Sequence, residues 1–264
     1  MDAGHENREQ SHQALLPRPE PLGLRLWFIL FDTMCGRYQL NTTAKQLGEL
    51  FNAARVEGGE LLVSRYNIAP GSPVLVVRDT PTGRAIEHVR WGLVPGWADD
   101  PKIGYKMINA RSETAAEKPG FRGAMKYRRC IVPASGFYEW KKINSKSKQP
   151  HHIAVQGADV FGLAGLWELW QDPAGNELET CAILTCRPNE MMADLHDRMP
   201  VILDPNRFDA WLDTDQQDAA KAARLLKPYP ADRMTAWPVS NYVNKAGNEG
   251  ERCLEPVGQQ GLFG

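Results

Sequence analysis

An α+β fold with a mostly antiparallel, curved or barrel-like sheet and flanking helices, built as a single domain, is what this sequence predicts. Three observations carry that prediction. Segments rich in β-formers dominate the middle of the chain. Helical segments interrupt them irregularly, without the regular βα alternation of a parallel sheet. No Pro/Gly/Ser-rich linker divides the body, and 264 residues that are 42% hydrophobic supply one sizeable core.

The elements follow in chain order. Residues 1–33 contain "HENREQSHQALLPRPEP", which has neither helical nor strand periodicity and is expected to be disordered. The organised domain is expected to span 34–264. "TTAKQLGELFN" (42–52) predicts a short helix, with Thr42 or Thr43 as cap and Leu47, Leu50 and Phe51 on one face. "SPVLVVRD" (72–79) and "RAIEHVRWGLVP" (84–95) predict strands joined by a turn at "TPTG". "NARSETAAEKPGF" (109–121) predicts a helix after Arg111 that stops at Pro119-Gly120. "RRCIVPASGFYEWKK" (128–142) predicts a strand bent near Pro133 and Gly136. "HHIAVQ", "DVFGLAGLWELW" and "LETCAILTC" predict further strands. "NRFDAWLD" and "QQDAAKAARLLK" predict late helices, and "MTAWPVS" a last strand.

Bulk properties exclude some classes. A formal net charge of −1 decides nothing about nucleic acid, so a local basic surface would have to attract it. Five scattered cysteines make no disulfide framework, and Cys181 and Cys186 lack partners at zinc-ligand spacing, so neither metal nor cofactor is expected. "LGLRLWFIL" (22–30) is too short to span a bilayer and contains Arg25, and with the acidic, polar residues 1–21 before it a secretion signal is not expected. A cytoplasmic monomer is expected, nucleoid-associated if bacterial.

"MCGRYQL" (34–40) raises the chemical question. Taken alone, Cys35 reads as a small buried hydrophobe. If Cys35 were the first residue, its α-amine and thiol would sit on adjacent carbons. The amine, with a pKa of about 7.7–8.0, can form an imine with an aldehyde. The thiol can then add to the imine carbon and close a thiazolidine, a path closed to any internal cysteine.

"MCGRYQL", "YNIAPG", "RWGLVPGWA", "INARSET", "CIVPASGFYEW" and "LHDRMPVIL" occur in this order. Together they closely resemble the SRAP family, the SOS-response-associated peptidases, sensors of abasic sites in single-stranded DNA. The resemblance runs from Met34 to about residue 241. It implies that Cys35 forms a thiazolidine crosslink with the ring-opened sugar. It implies roles for three further residues. Asn109 would bind the sugar hydroxyl or the Cys35 amine, although a turn or cap role suits it equally. Glu139, among aromatics that tend to raise a carboxyl pKa, would shuttle protons, where alone it reads as an exposed strand residue. His196 would protonate the opening ring oxygen. Arg37, Arg111 and Arg198 map to phosphate-contacting positions, with structural ion pairs as the alternative. Trp97, beside Pro95, would stack on a base or part the strands, although a core tryptophan is the ordinary reading in a chain with eight. The basic run "KKINSKSK" (141–148) reads as a hairpin tip.

The family places its cysteine second, and here it is residue 35. The first 33 residues are therefore expected to be non-native or removed. Three explanations compete: Met34 as the true start of translation, the one expected; an extension that is made and then removed, with the site itself a candidate for the cut; or an extension that persists and blocks the aminothiol. The partner expected is single-stranded DNA containing abasic sites, with replication machinery a further candidate and no membrane. Two other functions use the same residues: an N-terminal-nucleophile cysteine hydrolase or peptidase, and a non-catalytic single-stranded DNA-binding module.

Overall fold

The computed structural model describes residues 36–257, all within one compact unit of residues 33–264. Expectations for residues 1–33 and for Cys35 lie outside the described residues. In chain order the elements are β1 (Arg37–Leu40), α1 (Ala44–Phe51), β2 (Arg55–Val56), β3 (Arg65–Ile68), β4 (Pro73–Thr80), β5 (Gly83–Trp91), β6 (Asn109–Arg111) and α2 (Arg122–Tyr127). There follow β7 (Arg129–Ala134), β8 (Gly136–Lys142), β9 (Lys148–Val155), β10 (Phe161–Gln171), β11 (Glu177–Cys186), α3 (Glu190–Ala193) and β12 (Met199–Pro200). The last are β13 (Ile202–Leu203), α4 (Phe208–Leu212), α5 (Ala219–Ala223) and β14 (Met234–Pro238).

Five strands, β11-β10-β7-β4-β5, close on themselves because β5 also pairs with β11. Four of these contacts are antiparallel and the β5–β11 contact is parallel. A ring with an odd number of strands cannot alternate direction all the way round, so one parallel seam is unavoidable. The remaining sheet, β14-β9-β8-β1-β3, is antiparallel throughout. The expected fold class is therefore the one observed.

Strand β7 is buried at every position and β10 over its first six, because barrel strands here are covered on both faces. β7 lies in the barrel and β8 in the second sheet, with the chain bending at Ser135 between them. Gly136 is needed at that bend, because a Cβ there would collide with the His152 ring. The bent strand predicted over 128–142 is this junction. Helix α1 begins with a capping box: Thr43 accepts from the Gln46 N–H while the Gln46 side chain accepts from Thr43 N–H.

The helix expected after Arg111 is not formed. Residues 112–118 make successive turns, and the helix lies beyond the proline, over Arg122–Tyr127. The Ser112 N–H donates to the Thr185 carbonyl at 2.8 Å, which ties the segment to β11 rather than to a helical turn. The strand expected over 84–95 ends at Trp91, where Gly92 turns to φ +126° and its neighbour across the loop, Gly104, approaches too closely for a side chain. Among the described residues no helix is long and apolar enough to cross a membrane.

Candidate functional site

Arg37 and Glu139 lie on adjacent strands. β1 pairs with β8 so that Arg37 faces Tyr138, and carrying that register back one residue sets Gly36 against Glu139. Cys35 precedes Gly36 in the sequence. Glu139 is only 2% exposed, in contrast to the exposed strand residue that its sequence alone suggested. Strand alternation puts it on the same face as Phe137, which belongs to the main core.

Arg37 spends its guanidinium on neutral groups. Its Nη1 donates to Asn67 Oδ1 at 2.9 Å and to the Val243 carbonyl at 3.0 Å, and its Nη2 donates to the Asn244 carbonyl at 3.3 Å. The same group lies 5.8 Å from the centre of the Trp140 ring. Burial lowers its pKa, with a small opposing pull from Cys253. Carbonyls orient the cation without neutralising it.

Asn109 and Arg111 lie on β6, which pairs with β11, and Arg198 bonds to the same strand β11; His196 stands two residues before Arg198. β6 runs parallel to β11, with Asn109 beside Ile183 and Arg111 beside Thr185; Thr185 in turn faces Pro200 of β12. Arg198 forms a two-pronged pair with Glu113, at 2.6 and 2.7 Å, and donates to the Thr185 carbonyl at 2.7 Å. Hydrogen bonding from Arg198 holds the Glu113 carboxyl below its usual range. This is the structural ion pair weighed for these arginines, and it fastens the "NARSET" segment to the "HDRMP" segment. Arg111 is exposed.

His196 Nδ1 lies 2.9 Å from Asp197 Oδ1 and 3.2 Å from the Arg198 backbone nitrogen. A proton on Nδ1 points to the carboxylate and makes Nε2 the basic atom of the ring; a bare Nδ1 accepts the Arg198 N–H instead. The ring thus has a partner in either protonation state.

Aromatic contacts link β1 with the residue before β6. The Tyr38 ring meets Trp91 edge-on at 5.4 Å, and Trp91 Nε1 donates to the Ile108 carbonyl at 2.9 Å, next to Asn109. Trp97 is not a core residue: it is 60% exposed. Asn67 and Glu113 were not singled out as site residues, although both stand inside the quoted motifs "YNIAPG" and "INARSET". Their signal was a polar residue within each motif that the proposed chemistry left unused.

A closed mixed barrel, an attached antiparallel sheet and the motif residues on strands β1, β6 and β8 define the class: the chain belongs to the SRAP family. Residues 34–246 match that family, described as SOS response associated peptidase (SRAP). Abasic site processing protein YoqW of Bacillus subtilis (strain 168) is 44% identical over 223 residues, covering 84% of this chain and 99% of that protein. Abasic site processing protein HMCES of Gallus gallus is 34% identical over 224 residues, 73% of this chain and 66% of that protein. The crystal structure of a protein from Bacteroides thetaiotaomicron matches with a TM-score of 0.77 at 26% identity, over 84% of this chain and 100% of that one.

Proposed function

We propose that this protein processes abasic sites in single-stranded DNA, trapping the ring-opened sugar on Cys35. The observation that carries this reading is the β1–β8 register, in which the chain following Cys35 enters a strand paired with the one that carries the buried Glu139. The names of the relatives support the substrate. The family match begins at residue 34, which supports Cys35 as the working N-terminus.

The steps balance. The abasic sugar opens to an aldehyde, with His196 delivering the proton to the ring oxygen. The Cys35 amine adds to the aldehyde carbon, and loss of one water gives the imine. The thiol adds across the C=N bond: sulfur bonds to carbon, the π bond breaks, and the thiol's proton passes to nitrogen. Aldehyde and aminothiol become thiazolidine and water. Glu139 takes and returns the protons of addition and dehydration. Asn109 holds the sugar hydroxyl or the amine. Arg37 and Arg111 meet backbone phosphates, while Arg198, already paired with Glu113, contributes mainly by holding the two motif segments together.

The word peptidase in the family description favours a second reading, in which the Cys35 thiol acts on the peptide bond before it and removes the leading segment.

The test is a denaturing gel of protein beginning at Cys35 with an abasic oligonucleotide. A covalent band that disappears in Cys35→Ala is expected. Glu139→Gln should slow band formation by roughly 10²–10⁴-fold, the usual worth of a general acid–base group. A chain that keeps all residues before Cys35 and still forms the band would overturn the aminothiol mechanism.

A further inference from the structure

Glu139 has a histidine for its neighbour. In the β8–β9 ladder His151 stands directly opposite it, and Pro238 of β14 stands opposite His151. On the other side, the register carried back along β1 brings Gly36 beside it. Directly opposed residues of an antiparallel pair share one face, with Cβ atoms about 4.5–5.5 Å apart. The next row on that face is Tyr38, Phe137 and Ile153, all in the main core. The row of Glu139 and His151 therefore caps that core toward the β8–β9 turn.

The two adjacent histidines face opposite sides of the sheet. The His152 ring packs between Tyr138 and Trp237, with ring centres at 5.2 and 4.5 Å. His151 is half-buried and faces the Glu139 side. Its tautomer is set locally. Nδ1 lies 3.1 Å from the Gln149 carbonyl oxygen. A carbonyl only accepts, so this bond puts the ring's proton on Nδ1 and leaves Nε2 as the basic atom. The Gln149 side chain is spent on the Pro150 and Val239 carbonyls, at 3.0 and 2.8 Å.

Few other charges share this face of the sheet. β8 brings Lys141, two residues past Glu139, and β9 brings the neutral Gln149 opposite it. Gly36 and Pro238, on the flanking strands, have nothing to titrate. Arg37 and Tyr138 belong to the opposite face. Glu139 is 2% exposed, yet the chemistry proposed for it needs protons to arrive and leave. A carboxyl so enclosed meets little water, whereas a half-buried imidazole beside it meets both the carboxyl and the solvent.

We infer that His151 is the positioning residue and proton relay of Glu139. The inference rests on the capture reaction proposed above and deepens it. Once the Glu139 carboxylate has taken a proton from the attacking amine, that proton passes to His151 Nε2. The O–H bond breaks, the N–H bond forms, and a carboxylate faces an imidazolium with the total charge unchanged. The imidazolium then yields its proton to water. The reverse transfer recharges the carboxyl for dehydration of the adduct. His151 acts through Glu139 and not on the sugar.

The experiment uses protein beginning at Cys35 and follows band formation in single turnover with abasic oligonucleotide at rising concentration. His151→Gln should lower the limiting rate about tenfold, less than the 10²–10⁴-fold of a direct acid–base group, and leave the half-saturating concentration unchanged. In a Glu139→Gln background the same change should cost nothing further. Imidazole in the buffer should restore part of the rate to His151→Ala. An unchanged limiting rate overturns the inference. An equal loss in both backgrounds also overturns it, because it marks a purely structural role. Long-range proton–nitrogen NMR supplies a readout without DNA. In mildly alkaline buffer the His151 ring should carry its proton on Nδ1, and its Nε2 signal should move in Glu139→Gln. A ring protonated on Nε2, or one indifferent to Glu139→Gln, sinks the relay. If no variant forms a band while the Nε2 signal responds, the relay geometry stands and the crosslinking reading fails instead.

Discussion

The barrel and the second sheet are held together by different forces. The barrel's interlock is apolar: Ile131, Val132, Leu163, Leu166 and Ile183 are all fully buried. The outer face of the second sheet is instead clamped to residues 241–257 by directional bonds. Asn67, 1% exposed, donates through Nδ2 to the carbonyls of Val243, Lys245 and Asn248 at 3.1, 3.0 and 2.9 Å. The Tyr66 N–H donates to Glu249 Oε2 at 2.7 Å, and Trp140 Nε1 to Asn244 Oδ1 at 2.7 Å. Apolar packing is non-directional and fixes volume; hydrogen bonds fix position. The polar clamp holds Arg37, through Asn67 and the Val243 and Asn244 carbonyls, and the apolar lock supplies the frame.

That contrast can be broken at graded cost. Leu163→Ala should remove about 2–5 kcal/mol of stability, read as a lower urea midpoint, and leave capture by the remaining folded protein intact. Acid should act on the sheet. Burial drives His152 down from 6.5 to about 4. The unfolded chain therefore takes up a proton near pH 6.5 that the folded chain refuses until about pH 4. Stability is full above that window and declines as the pH falls through it, by up to about 3 kcal/mol. His152→Gln should flatten this part of a pH series of unfolding midpoints. Asn67→Ala should cost about 1–3 kcal/mol and, unlike Leu163→Ala, should also weaken single-strand binding in an anisotropy titration, because Arg37 loses a partner. The smallest effect belongs to Arg55, 61% exposed where it pairs with Glu87: Arg55→Gln should change stability by under about 1 kcal/mol.

Local chemistry was legible and long-range pairing was not. Thr43 and Gln46 announce the start of α1, and the turn between β4 and β5 falls where "TPTG" predicts it. The bend at Ser135 follows from Pro133 and Gly136. The misplaced helix shows the limit: the stop signal Pro119-Gly120 suggested a helix between Arg111 and that proline, but Arg198 grips Glu113 and Thr185 binds Ser112. Those partners lie more than 70 residues away, beyond any local pattern. The motifs similarly named Arg37 and Arg198 together, yet one fork meets carbonyls and the other a carboxylate. Burial of Glu139 and exposure of Trp97 both ran against the ordinary expectation for their residue types.

The parallel seam has a consequence for how the molecule assembles. Its register joins Arg90 to Thr180 and Trp91 to Cys181, partners 90 positions apart, whereas β4 and β5 are joined by a tight turn. Loop-closure entropy makes such a distant join late, so the hairpins should zip first and this short stitch should complete the circle. Within the stitch, the Trp91 side chain donates to the carbonyl of Ile108, which precedes Asn109. Competence to handle damaged DNA would then arrive with the last step of folding, and a half-made chain would have no finished pocket with which to seize it.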